Sequence, residues 1–267
     1  METFLNSIRF KKWENNRLVY YQSTADKNFW DNQWENLISE KYFQKCIKGD
    51  LDELSPYIQK YMSKEDRIIE AGCGLGRIVV SLLHQGFKSI EGIDYGEKTI
   101  NQVKQIFPDL PIKVGNVLKI DKPDNYYHGY ISLGVVEHNS NGPEPFLNEA
   151  YRVLEKNGFA FISVPYVNPL RKIKSNVGFF NKSVPPEYDF YQYAFQKSEF
   201  IKILQNTGFK VIDYTGYDGL YALREEFQFI FSIFDRLPGG YRFQGLLKKA
   251  SWINKFGHMI LFICKKD

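Results

Sequence analysis

Arg67-Ile68-Ile69-Glu70-Ala71-Gly72-Cys73-Gly74-Leu75-Gly76 is the stretch that decides the fold. A short β-prone run enters three glycines spaced two apart, and residues 77–85 continue as an apolar helix that Gly86 closes. A strand that breaks on a glycine bend and re-enters as a helix is the opening of a βαβ unit. Outward from it the pattern repeats. Residues 89–94 predict a second strand, 98–107 a helix, 112–114 a third strand and 127–133 a fourth. Gly142-Pro143 opens a helix through Val153, Gly158 breaks it, and 159–164 predict a fifth strand. A helix over 197–207 ends at Gly208, and 210–214 and 258–265 predict the last two strands. Such alternation predicts an α/β domain with a mostly parallel sheet joined by right-handed crossovers.

Two helices are predicted before the first of these strands. One runs over 27–46, with Trp30, Trp34, Leu37 and Ile38 on one face, and one starts at Ser55-Pro56 and carries Tyr57, Ile58, Tyr61 and Met62. Residues 1–64 are therefore expected to be an N-terminal helical extension packed on a domain spanning 65–267. Two segments without a clear period, about 166–195 and 216–255, read as insertions over the sheet. The first of them carries Arg171, Lys172 and Lys174, expected in an exposed loop, and the aromatics Tyr188, Phe190, Tyr191, Tyr193 and Phe195.

The composition restricts function. The chain has 267 residues, 43% of them hydrophobic, and a formal net charge of +4 without a basic block, so no nucleic-acid partner is expected. Cys46, Cys73 and Cys264 are odd in number and far apart, so neither a disulfide framework nor a CxxC metal site is read from them. No apolar leader and no span long enough for a bilayer occur, so a cytoplasmic protein is expected. The sequence sets no oligomeric state.

Chemistry is expected at the glycine bend, because ligands of open parallel sheets bind beyond the carboxyl ends of the strands. Gly72, Gly74 and Gly76 are spaced as Gly-x-Gly-x-Gly, whereas dinucleotide capture uses Gly-x-Gly-x-x-Gly and Arg77 stands at that last position. Glu70 at the first strand tip would repel a pyrophosphate but can accept from an ammonium group. Asp94, at the tip of the second strand, can take both hydroxyls of a ribose. The implied ligand has a ribose, a positive amine and no phosphate.

The set Glu70-Ala71-Gly72-Cys73-Gly74-Leu75-Gly76, Gly92-Ile93-Asp94, Val114-Gly115-Asn116-Val117 and Val135-Val136-Glu137-His138 resembles the class I S-adenosylmethionine (SAM) dependent methyltransferases. It most resembles their small-molecule branch related to quinone biosynthesis. The resemblance covers residues 66–164 well and 195–214 more loosely. It implies a Rossmann-like three-layer sandwich whose seven-stranded sheet has the order 3-2-1-4-5-7-6, the last strand antiparallel, with SAM as cofactor and a small-molecule methyl acceptor.

By the same resemblance, Glu70 and the loop of Gly72, Cys73, Gly74 and Gly76 would hold the methionine part of SAM, and Asp94 the ribose. Tyr95, Asn116 and Val117 would meet the adenine, and Leu133 and Gly134 would flank the transferred methyl. His138 is the candidate base, a residue that orients the acceptor, or a helix-start histidine without a role in the chemistry. Related enzymes carry a metal-binding Glu where this chain has Gly134, so no metal is expected. Tyr20 and Tyr21 are placed over the SAM carboxylate end. A dinucleotide-dependent oxidoreductase and a non-catalytic SAM-binding protein are the alternative classes.

Overall fold

The computed structural model describes residues 10–22, 34, 40–180, 183–237, 244–247 and 250–267. The expected βα alternation is present. Strand β3 (Arg67–Ala71) leads to α3 (Arg77–His84), β4 (Ser89–Asp94), α4 (Glu97–Ile106), β5 (Ile112–Val114) and β6 (Tyr127–Leu133). Helix α5 (Glu144–Val153), β7 (Leu154–Pro165), α7 (Lys197–Asn206), β9 (Phe209–Tyr217) and β10 (Met259–Lys266) complete it. Neighbours in the sheet are β5-β4-β3-β6-β7-β10-β9, which in chain order within the sheet is 3-2-1-4-5-7-6. β10 runs antiparallel to both neighbours, with Ile263 opposite Phe161 of β7 and Asp213 of β9.

The two-residue period of the strands divides the core. Ile68, Ile131, Phe161, Leu261 and Ile263 face one way, against α3 and α4 and against α1 (Glu40–Ile47) and α2 (Ser55–Tyr61). Their neighbours Ile69, Tyr130, Ala160, Ile162 and Phe262 face the other way, against α5 and α7. Burial of each large apolar side chain in these layers stabilises the fold by roughly 1.5–3 kcal/mol. The carboxyl ends of β3, β4 and β6 are thereby held at one rim.

The N-terminal segment differs from expectation. Residues 10–22 are not helical: β1 (Phe10–Glu14) and β2 (Arg17–Gln22) form a hairpin in which Phe10 lies opposite Tyr21. Asn15 and Asn16 make its two-residue turn, with φ of 47° and 67°. A tight hairpin wants positive φ at both central positions, and Asn tolerates that conformation. The helix from Ser55-Pro56 forms, and of the helix expected over 27–46 the described part is Trp34 and α1, the rest lying outside the described residues.

Both insertions carry regular structure. The first contains α6 (Pro169–Asn176), which Asn168 caps by accepting from the Arg171 amide, and β8 (Asp189–Ala194). β8 pairs antiparallel with β2, giving a three-stranded sheet of order β1-β2-β8. The second contains α8 (Gly219–Glu226), α9 (Gln228–Arg236) and a 3-10 turn over Ser251–Phe256.

Arg171 also departs from the exposed loop expected of it, being fully buried on α6. Its guanidinium lies 2.5 Å from Glu225 and 3.1 Å from Glu226, and its Nη1 donates to the Tyr166 carbonyl. Lys11 of β1 and Lys174 of α6 join the same two carboxylates at 2.6 and 2.7 Å. Burial favours this arrangement only because each charge has opposite partners and hydrogen bonds. The cluster ties the hairpin, α6 and α8 into one cap.

Candidate active site

A cavity of about 450 Å³ opens beyond the carboxyl ends of β3, β4 and β6 and below the cap. Glu70, Gly72, Cys73, Gly74, Asp94, Tyr95, Asn116, Val117, Leu133, Gly134 and His138 all line it. Of the site residues expected from the sequence, Gly76, Tyr20 and Tyr21 are absent from the wall. With φ of 70° Gly76 forms the N-terminal end of α3, and a Cβ there would stand 3.1 Å from Leu110 and 3.3 Å from Ile112. Its place is under the loop, in the packing.

The glycine bend is fixed from within. Gly72 has φ of 82°, and a Cβ on it would come within 2.4 Å of Val135 Cγ2, so no larger residue fits. The amides of Gly72 and Cys73 both donate to the Ile93 carbonyl, at 2.8 and 2.9 Å, and that of Gly76 to the Cys73 carbonyl. The Gly74 amide donates to Asp94 Oδ2 at 2.9 Å, while Oδ1 accepts from the Gly96 amide. Four loop amides are thus committed inside the protein. A pyrophosphate cradle needs such amides for its oxygens.

Glu70 sits behind this bend, 5% exposed, and accepts from the Val79 amide in the first turn of α3 at 3.3 Å. A carboxylate here occupies the helix end where a phosphate would otherwise gain from the dipole. Burial pushes the Glu70 carboxyl up to about 8, with the nearby Arg77 charge and the Val79 amide opposing the rise. A cation entering the cavity would stabilise its ionised form. Arg77 lines the same cavity while its Nη1 donates to Asp52 at 2.6 Å.

At one end of the cavity, Tyr95 stands at the rim, 43% exposed. The Asn116 side-chain oxygen accepts from the Leu118 amide at 2.9 Å, which holds the side chain in a turn of its own making. One lone pair of that oxygen remains for a second donor.

At the opposite end, Gly134 has φ of 70° and donates to the Ser163 carbonyl. His138 ends a 3-10 turn over Val136–His138, and its Nδ1 lies 2.9 Å from the Tyr191 carbonyl of β8. A carbonyl only accepts, so Nδ1 carries the proton and Nε2 is the accepting nitrogen of the neutral ring. Glu137 beside it is buried, with Oε1 3.8 Å from His138 Nε2, and burial pushes its carboxyl up to about 8.

Several wall residues were not anticipated: Trp34 and Tyr42 from the N-terminal segment, Arg77, Phe146 of α5, and Phe190 and Tyr191 of β8. The aromatic run around Tyr191 was the only hint of them, and it did not say which ring faced the ligand. Tyr20 and Tyr21 do not line the cavity. Tyr20 packs with Leu18, Val167 and Phe180 inside the cap, and the Tyr21 hydroxyl donates to Glu14.

A family model described as a methyltransferase domain matches residues 69–162, from within β3 to near the end of β7. That span contains both acidic strand tips, the glycine bend and His138. Over these residues the chain is similar to that methyltransferase domain, and its motifs resemble those of the class I SAM-dependent methyltransferases.

Its relatives agree. A protein named "Probable S-adenosylmethionine-dependent methyltransferase" from Mycolicibacterium smegmatis is 24% identical over 72% of this chain and 63% of its own length. A demethylmenaquinone methyltransferase from Chlorobaculum tepidum is 23% identical over 69% of this chain and 76% of its own. The chain thus spans less than two thirds of the first of these. Among solved structures, a SAM-dependent methyltransferase from Methanosarcina mazei superposes with a TM-score of 0.54 at 16% identity, over 79% of this chain and 97% of that one. This last likeness concerns the fold. The hairpin, α6, β8, α8 and α9 lie outside the family match and supply the cap.

SAM is the family's cofactor, and the residues present suit it. A buried carboxylate without an ion pair among the described residues, a second one braced by two amides, and a bend whose amides are already used accommodate a cationic nucleoside and disfavour a dinucleotide.

Proposed function

We propose that this chain transfers a methyl group by direct displacement to a small-molecule acceptor held between the strand tips and the cap. SAM supplies the electrophilic methyl, activated by its sulfonium. Glu70 receives the ammonium of the methionine head, and the bend from Gly72 to Gly74 lets that head lie against the backbone. Asp94, oriented by the Gly74 and Gly96 amides, takes the ribose hydroxyls. Tyr95, Asn116 and Val117 hold the adenine, and Leu133 and Gly134 border the reacting carbon.

The protein's contribution is then alignment and exclusion of water. Phe146, Phe190 and Tyr191 supply an apolar wall for the acceptor. His138 Nε2 accepts the acceptor's proton, because the Nδ1 contact to Tyr191 presents the correct tautomer. The neighbouring Glu137, protonated at neutral pH, adds no charge to the imidazole's surroundings.

The observation that carries this reading is the internal use of the loop amides together with the buried Glu70, which has no ion pair among the described residues. Calorimetry with S-adenosylhomocysteine (SAH) and with NAD tests it. SAH is expected to bind and NAD is not, and Asp94→Ala is expected to abolish SAH binding with a cooperative melt retained. Tight NAD binding, or SAH binding untouched in Asp94→Ala, would overturn the reading.

A further inference from the structure

An antiparallel ladder pairs its strands residue for residue, and the one between β2 and β8 breaks that rule once. Tyr20 lies opposite Gln192 and Tyr21 opposite Phe190, so the ladder steps over Tyr191. One extra residue on a strand is a β-bulge, which bends the strand and re-aims its side chains. The contacts of β8 show the change of face. The Phe190 and Tyr193 rings lie with centroids 4.7 Å apart, while Tyr191 and Ala194 both pack with Leu18 in the core of the cap. The members of each pair are three residues apart, and regular alternation would send them to opposite faces. Without Tyr191, Phe190 would turn away from Tyr193 and from the cavity that it lines.

The bulge meets His138. The carbonyl of Tyr191, a residue 4% exposed, accepts from His138 Nδ1 at 2.9 Å, and its ring stands edge-on to the imidazole with centroids 4.9 Å apart. Two residues on, the Tyr193 hydroxyl donates to the Ser140 carbonyl at 2.8 Å. β8 thereby clasps the turn that carries His138 at two points, and Arg17 of the hairpin lies 5.1 Å over the Tyr193 ring. Which nitrogen of a neutral imidazole keeps the proton is set by the hydrogen bond that the ring makes. At Nδ1 that bond comes from the cap. On the Nε2 side, Glu137 Oε1 at 3.8 Å is too far for a hydrogen bond.

We propose that Tyr191 is a positioning residue for methyl transfer, and that its bulge joins the base to the acceptor wall. The Tyr191 carbonyl fixes the proton on Nδ1 and leaves Nε2 to take the acceptor's proton. The inversion of face beside it brings Phe190 to the acceptor. This assignment rests on the reading of His138 as the base given above. The base thus stands beyond β6 on the sheet but is set by the cap, so the two halves of the site meet at one peptide group. The SAM end, built on β3 and β4, does not depend on that joint.

Nitrogen-15 spectra of the histidine rings test it and need no acceptor. The chain has four histidines, and the His138 signals are those absent from His138→Gln. In mildly alkaline buffer the wild type is expected to show Nδ1 protonated and Nε2 bare. Tyr191→Ala keeps the bulge and the carbonyl and should keep that pattern. Deletion of Tyr191 makes the ladder regular, and should replace the single tautomer by a mixture or by the Nε2-protonated form. The deletion variant should bind SAH as the wild type does in calorimetry, since Glu70, Asp94 and the glycine bend stand on the sheet. A wild-type ring protonated at Nε2 overturns the proposal whether or not the deletion variant folds. So does an unaltered tautomer in a folded deletion variant. A tautomer shifted by Tyr191→Ala overturns it too, because the hold on His138 would then lie in the ring. A wild type that fails to bind SAH overturns the methyl-transfer reading itself, whatever the spectra show.

Discussion

At the scale of single residues, the cavity separates the two ends of the expected ligand by charge. Glu70 and Arg77 both line the cavity and, in the proposed placement of SAM, meet its methionine end, one suited to an ammonium and the other to a carboxylate, although Arg77 already donates to Asp52. An Arg has five donors, so that bond leaves others for a ligand. Arg77→Met is therefore expected to weaken SAH binding by about tenfold, the scale of one charge-assisted hydrogen bond. It should leave 5′-methylthioadenosine, which lacks the amino-acid head, unaffected in the same titration. Equal losses for both ligands would show that Arg77 acts through the fold. His138→Ala separates base from scaffold. If Nε2 takes the proton, turnover should drop by about 10²–10⁴-fold and the acidic limb of the pH profile should vanish, with SAH affinity retained. A mere loss of SAH affinity would assign His138 to packing against Tyr191.

At the scale of elements, the cap is held by features of very different visibility in the sequence. The strand-bend-helix at 67–77 was legible because three glycines and two acids have few alternative uses together. The hairpin at 10–22 had its own signal in Asn15-Asn16, but helical periodicity further along drew the whole segment into a helical expectation. The pairing of β2 with β8 was not legible, since it joins residues about 170 apart and no local pattern encodes the partner. The burial of Arg171 was hidden for the same reason, because Glu225 and Glu226 reach it from another insertion. Within the site, residues on the βα loops were readable as motifs. Phe146, Phe190, Tyr191 and Tyr42 were not, since aromatic composition does not reveal which ring turns toward the cavity. Arg171→Met should cost on the order of 3–5 kcal/mol in urea denaturation, because it leaves two buried carboxylates with fewer partners. A loss below about 1 kcal/mol would show that Lys11 and Lys174 suffice.

At the scale of the molecule, two sets of carboxylates pull stability in opposite directions along the pH axis. Glu70 and Glu137 are both raised to about 8 from an ordinary 4.5, so the folded state keeps protons that the unfolded chain releases. Their contribution is full below about 4.5 and is lost as pH rises through about 8. Arg171, Lys11 and Lys174 hold Glu225 and Glu226 below the usual range, and that contribution is lost only as pH falls beneath it. The ligand-free melting temperature is therefore expected to fall between pH 6 and pH 9, and Glu137→Gln should flatten the decline. A melting temperature that rises over that interval would contradict the assignment.

The hairpin that closes the cap is made first and completed late. Residues 10–22 leave the ribosome well before their partner β8 at 189–194, and before Glu225 and Glu226, which neutralise Lys11. Through most of synthesis, β2 is the unpaired margin of a two-stranded ribbon, the kind of edge on which newborn chains stick to one another. A nascent chain halted ahead of residue 189 should therefore bind chaperones more strongly than one halted after 226.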